Sequence, residues 1–213
     1  MADALRDELA KLIDLAGKER VEAREISPED VTVADWVRYK CAWGCKGYGK
    51  HLCCPPYAPS PEETRRILAE YRIGLLLRFE GVPGMKGIDP DRIPEDFHPM
   101  YKDLILWVHD TLYMLEKTAF YDGFYKAIGF GAYPCIYCDH CVAEEASGPV
   151  DRSMKRNCRH MDKVRPSMEA AGMDVFATAR KAGWDIETIP CKDLEYGKIM
   201  HANIVSYALL LLD

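Results

Sequence analysis

Three cysteines stand at equal spacing in the stretch CIYCDHC, at Cys135, Cys138 and Cys141. A C-x2-C-x2-C run lets one tight loop turn three thiolates toward a single point. A cubane cluster of four irons takes three ligands from such a loop and a fourth from elsewhere. Tetrahedral zinc more often draws on two separated pairs. The spacing therefore favours iron–sulfur, with zinc as the alternative and core thiols as the bland one.

The fourth ligand is best sought at Cys158, in RNCRHMDK, which follows Cys141 after sixteen intervening residues. Two-cluster ferredoxins continue their run as C-x3-C-P, with the last cysteine serving the other cluster. That continuation is missing here, so Cys158 reads as the remote ligand of one cluster whose loop carries the insertion EEASGPVDRSMKRN. Arg152, Lys155, Arg156 and Arg159 make that region basic. They are either cations that raise the potential of an anionic cluster or solvated loop charges. His140 reads as a spectator.

A second group precedes it: CAWGCKGYGKHLCCPP, with Cys41, Cys45 and Cys54 as C-x3-C-x8-C. Gly44, Gly47 and Gly49 let the backbone fold tightly around a bound group. Pro55 and Pro56 stiffen the exit, and the Cys-Pro step favours Cys54 over Cys53 as ligand. Three thiols leave a metal one ligand short. Cys53, His51 or Cys191 completes the set, or one iron keeps an open position. A second iron–sulfur cluster, a zinc site and a structural turn all stand open. Were the site catalytic, Lys46, Lys50, His51 and Tyr57 would be its proton donors or anion holders.

The elements that position these groups follow from periodicity. Leu5, Leu9, Leu12, Ile13 and Ala16 predict an amphipathic first helix. Ser60-Pro-Glu-Glu63 is a capping-box start for a helix to about Tyr71, and RIGLLLRFEGV reads as a buried strand. Residues 82–99 read as a long loop. From about Pro99 to Lys126 a helical stripe runs through Leu104, Val108, Leu112, Leu115 and Ala119. KAIGFGAYP reads as a short strand delivering the chain to the cysteines. Residues 166–182 read as a helix broken at Gly172, its second half capped by Asp174 and ended at Gly183. An Arg165–Glu169 pair is expected on its face, the alternative being Arg165 beside the anionic cluster or an anionic substrate. WDIETIP and NIVSYALLLL read as late strands. The pattern is α/β or α+β: a small sheet flanked by helices, partly ferredoxin-like, with cysteine-rich cluster-binding loops at about 41–57 and 133–160. A single domain over residues 1–213 is expected.

Composition narrows the function classes. A formal charge of −6 disfavours nucleic acid or an anionic membrane as main partner, since both reward clustered Lys and Arg. No secretory signal or membrane span is read in the chain, so a cytoplasmic protein is expected. Nine cysteines in such a compartment are metal ligands before they are disulfides. There is no P-loop, no dinucleotide fingerprint and no nucleophile elbow.

The two groups in this order, as CAWGCKGYGKHLCCPPYAPSPEE and then CIYCDHC, CRHMDK and RPSMEAAGMDV, resemble the predicted metal-binding family called domain of unknown function 2284. The resemblance spans roughly residues 35–185. It implies metal binding, through iron–sulfur clusters, at Cys41, Cys45, Cys54, Cys135, Cys138, Cys141 and Cys158. The extra Cys53, and His160-Met161 after Cys-Arg, depart from that pattern. The function expected is electron transfer or a redox accessory role through one or two [4Fe-4S] clusters, toward a partner protein or small molecule, with a homo-oligomer open. The alternatives are an enzyme with an open-coordination cluster, of oxidoreductase or lyase type, and a structural zinc module.

Overall fold

The computed structural model describes residues 2–81, 83, 97–186 and 204–213. The order is α1 (Ala2–Lys18), β1 (Glu22–Ile26), α2 (Asp35–Gly44), α3 (Pro61–Leu68), β2 (Ile73–Glu80), α4 (Phe97–Tyr121), β3 (Ile128–Phe130), α5 (Val142–Glu145), α6 (Val175–Lys181) and β4 (Val205–Leu212). The four strands pair antiparallel throughout, in the order β1-β2-β4-β3, so the fold is α+β.

The central strands are apolar on both faces, which marks a sheet covered on both sides. Leu75, Leu77 and Phe79 of β2, with Ala208, Leu210 and Leu212 of β4, meet α1 and α4 through Leu9, Leu12, Leu104, Val108, Leu112 and Leu115. Leu76, Tyr207, Leu209 and Leu211 point the other way, into Leu68, Met168, Met173, Val175 and Ala179. Each such Leu, fully withdrawn from water, contributes about 1.5–3 kcal/mol. The predicted stripe of α4 is buried from Leu104 to Ala119, whereas Ile13 of the α1 stripe remains 38% exposed.

Helix starts follow the sequence closely. The Ser60 hydroxyl accepts the Glu63 N–H at 3.1 Å, while the Ser60 N–H donates to the Glu63 carboxylate at 2.7 Å, closing the capping box. Asp174 accepts the Ala177 N–H and caps α6.

Three expectations are corrected. Residues 168–172 form a turn, with the Ala170 N–H on the Ser167 hydroxyl, so only the second half of the 166–182 segment is helical. Gly172, at φ +82, turns the chain where a Cβ would meet Pro61 at 2.8 Å. Arg165 pairs with Glu116 of α4 and not with Glu169. Trp184–Ile186 carry no strand, and the rest of WDIETIP lies outside the described residues, as do 82 and 84–96 of the long-loop reading; Phe97–Pro99 already belong to α4.

Gly129 fixes how closely β3 lies on α4. A Cβ there would stand 2.8 Å from Leu112 Cγ and 2.9 Å from the Glu116 carboxylate. Gly129→Ala is expected to cost about 1–3 kcal/mol through overpacking. Urea unfolding reads this directly, and a midpoint equal to wild type would show that β3 lies farther from α4.

Candidate metal centre

The cysteine-bearing excursion leaves and rejoins the body at one neck. The Gly131 N–H donates to Pro166 O at 2.8 Å and the Met168 N–H to Gly131 O at 2.9 Å, a parallel bridge across residues 131 and 167. Beneath it, the Glu116 carboxylate accepts the Gly129 N–H at 2.8 Å and both Nε–H and Nη2–H of Arg165. The stretch from Ala132 to Val164 leaves and returns at these contacts.

Within the excursion, Cys135, Cys138, Cys141 and Cys158 line one small cavity, together with His51, Arg159 and His160. Cys141 opens the single turn of α5, and Cys158 closes the 3-10 turn Arg152–Asn157, which Asp151 caps through the Ser153 N–H at 2.7 Å. Backbone N–H groups of Tyr137 and His160 bond the thiols of Cys135 and Cys158. Such donors favour a thiolate. Among the described residues, no three His, Cys, Asp or Glu side chains are yet drawn to metal-holding range. The four thiols share only the walls of this cavity.

The early group is divided. Cys41 lies on the last turn of α2, not in a loop, and Cys45 caps that helix, its Sγ accepting the Gly47 N–H at 3.4 Å. Cys53 lies elsewhere: it is buried, and its Sγ accepts the Cys135 N–H at 3.3 Å. Half-buried Cys54 hydrogen-bonds to Cys53. Cys54 is absent from the walls around Cys41 and Cys45 and from the four-cysteine cavity. His51 stands between the groups, lining the four-cysteine cavity while its ring and Cys45 Sγ both flank Gly47. Tyr57 is buried and donates to Gly49 O at 3.2 Å, whereas Lys46 and Lys50 are exposed. Cys191 lies outside the described residues.

A satellite core sews the early segment to the excursion. Leu52 and Tyr57 bury against Ala143, with Val142, Val150 and Met154 around them. Arg152 reinforces the seam by donating to both Glu63 oxygens, at 2.6 and 2.7 Å, and to Ala58 O at 2.9 Å. Arg159 donates to Glu145 at 2.7 Å and to His140 O at 3.1 Å, and also reaches Cys138. Lys155 faces Cys53 and Cys158. The basic insertion is thus partly a set of ties and partly a set of cations turned to the thiols.

Burial is the main influence on these thiols. It pushes Cys135 up to about 12, and it raises Cys158 and Cys41 as well. A hydrogen bond with Cys54, then burial, lifts Cys53 well above the ordinary thiol value. Metal loading must therefore displace protons, which makes it easier as pH rises.

Sequence reasoning missed one feature. Trp36, Tyr39 and Trp43 stand three and four apart on one face of α2, and that face is exposed. With Phe176, Met173 and Glu169 they wall a cavity of about 650 Å³ that opens onto Cys41 and Cys45. Once α2 is recognised, the aromatic spacing is the signal.

The seam has a pH signature. Arg152, and then the Ser60 N–H, hold the Glu63 carboxyl at about 2, below its ordinary 4.5. This stabilisation is complete above pH 4.5 and is lost as pH falls through about 2. The stability difference between wild type and Glu63→Gln is expected to shrink steadily between pH 5 and 2. A difference constant with pH in thermal melts would remove Arg152–Glu63 from the seam.

No curated protein and no solved structure matches this chain. Among the described residues, no helix is long and apolar enough to cross a membrane. The family model of domain of unknown function 2284, described as predicted metal-binding protein, matches residues 24–212, from β1 through β4 and across both cysteine groups. By that match the chain belongs to this family of predicted metal-binding proteins.

Proposed function

We propose that the protein carries a [4Fe-4S] cluster on Cys135, Cys138, Cys141 and Cys158 and serves electron transfer with a redox partner. One observation carries this reading: four thiols from two stretches of chain, pinned at a common neck, line a single cavity. The donor set is all sulfur, in the spacing that suits a cubane. Backbone N–H groups of Tyr137 and His160 already aim at two of the sulfurs. When bound, the cluster supplies a one-electron carrier. The chain's residues shape its surroundings: Arg159 and Lys155 set positive charge beside the thiols, and the satellite core screens one side from water. Zinc on the same four thiols is the competing occupant.

A second reading, an enzyme, rests on the apolar cavity at Cys41 and Cys45. Its size falls within the range of small-molecule pockets, about 300–1,000 Å³. In that reading a metal held by the early group meets a substrate seated among Trp36, Trp43 and Phe176.

Iron, acid-labile sulfide and zinc measured on anaerobically purified protein decide among these. About four irons and four sulfides per chain, reduced by more than half in Cys138→Ser and Cys158→Ser, are the expected result. Zinc without iron, or no metal at all, would remove the electron-transfer reading. Iron in excess of one cluster that disappears in Cys45→Ser would support the second reading. Iron content unmoved by Cys41→Ser with Cys45→Ser would sink it.

A further inference from the structure

The cavity on the outer face of α2 has walls that the chain itself fixes. The Ala34 N–H donates to Gly172 O at 2.9 Å and the Asp174 N–H to Thr32 O at 2.7 Å. On the helix, the Arg38 guanidinium donates to Ala170 O at 2.6 Å, and buried Val37 seats the backbone. These ties hold α2 against residues 169–176, so both sides of the cavity are set in advance. A site built this way loses less freedom when a ligand binds.

Its walls are largely rings. Trp36, Tyr39 and Trp43 are 48%, 64% and 78% exposed, and Phe176 joins them from α6. The Tyr39 and Trp43 centroids lie 5.8 Å apart. Ring faces carry negative potential and attract cations. One cation of the chain already uses this wall, since Lys40 Nζ stands 4.8 Å from the Trp36 centroid. Among the described residues no Lys or Arg stands over Tyr39, Trp43 or Phe176.

Charge points the same way. Glu169 and Asp174 both line the cavity, against Lys40 alone. Asp174 is committed to the α6 cap. Glu169 has the Ser167 hydroxyl beside it and, among the described residues, no cationic partner. A quaternary ammonium suits this lining better than a primary one, because it has no N–H to satisfy and asks only for ring faces and a negative charge. At about 650 Å³ the cavity also has room for the molecule that carries the charged group.

We propose that this cavity binds a small soluble quaternary ammonium compound, its methyl groups against the rings of Tyr39, Trp43 and Phe176 and its charge met by the Glu169 carboxylate. This names the ligand class for the cavity of the second reading. It rests on that reading for the cavity alone, not for a metal at Cys41 and Cys45.

The test is calorimetric titration of the full chain, purified anaerobically, with choline as the probe. Tryptophan fluorescence is followed and iron counted in the same samples. One choline per chain is expected. Its neutral isostere, with a quaternary carbon in place of the nitrogen, is expected to bind at least about tenfold more weakly. Glu169→Gln and Trp43→Leu, both at exposed positions, are each expected to weaken choline about tenfold. Equal affinity for the neutral isostere would overturn the proposal and leave a merely apolar pocket. No binding up to about 10 mM choline, or an affinity unmoved in either variant, would overturn it too. Binding to phosphatidylcholine vesicles without binding to free choline would overturn the small-molecule assignment. Choline binding and iron both unmoved by Cys41→Ser with Cys45→Ser would uphold the proposal and remove the second reading. Iron lost in Cys45→Ser from a chain that ignores choline would keep that reading and sink the proposal.

Discussion

A buried carboxylate ties the two ends of the cysteine excursion to each other and to α4. Glu116 sits on α4 at 10% side-chain exposure and spends its two oxygens on the Gly129 N–H and the Arg165 guanidinium. A buried carboxylate is tolerable only when paired and hydrogen-bonded. Both partners are therefore required, and together they fix helix, edge strand and returning chain to one another. The absent side chain at Gly129 is the steric half of the same arrangement, since any Cβ would enter the space Leu112 and Glu116 occupy.

From that neck outward, apolar contact takes over from electrostatics. Leu52 and Tyr57 come from the early segment and Ala143 from the later one, and their joint burial makes the two cysteine groups neighbours. Arg152 adds direction by binding both Glu63, which also closes the α3 capping box, and Ala58 O. The start of a helix in the body thus steadies a turn in the insertion. Cys53 is placed against Cys135 by this convergence and not by any local motif of its own.

Much of the body was legible because local rules act alone there. The stripe of α4, the box at Ser60, the Asp174 cap and the twin apolar runs of β2 and β4 depend only on period and capping chemistry. β1 escaped because Glu22-Ala-Arg-Glu-Ile is an edge strand whose charges bind laterally, Glu22 to Arg24 and Arg78, so it carries no apolar alternation. α2 escaped because its aromatic face is turned outward, and its one buried residue is Val37. The helical reading of Arg165 and Glu169 failed to a tertiary partner, since Glu116 lies far away in sequence. At the site, the grouping of Cys135, Cys138, Cys141 and Cys158 on one cavity follows from spacing, but the place of Cys53 depends on a satellite core that spacing cannot reveal.

The adjacency of Gly131 and Pro166 also makes residues 132–165 a cassette in the polymer sense. Entry and exit are already joined, so extra chain inserted in the exposed part between them need not alter the pairing of the strands. Closing a loop of twice the length costs only about 0.6 kcal/mol more. Added length in the exposed parts of the excursion therefore costs the sheet little so long as the Arg152–Glu63 pair and the Leu52, Tyr57 and Ala143 core keep their places.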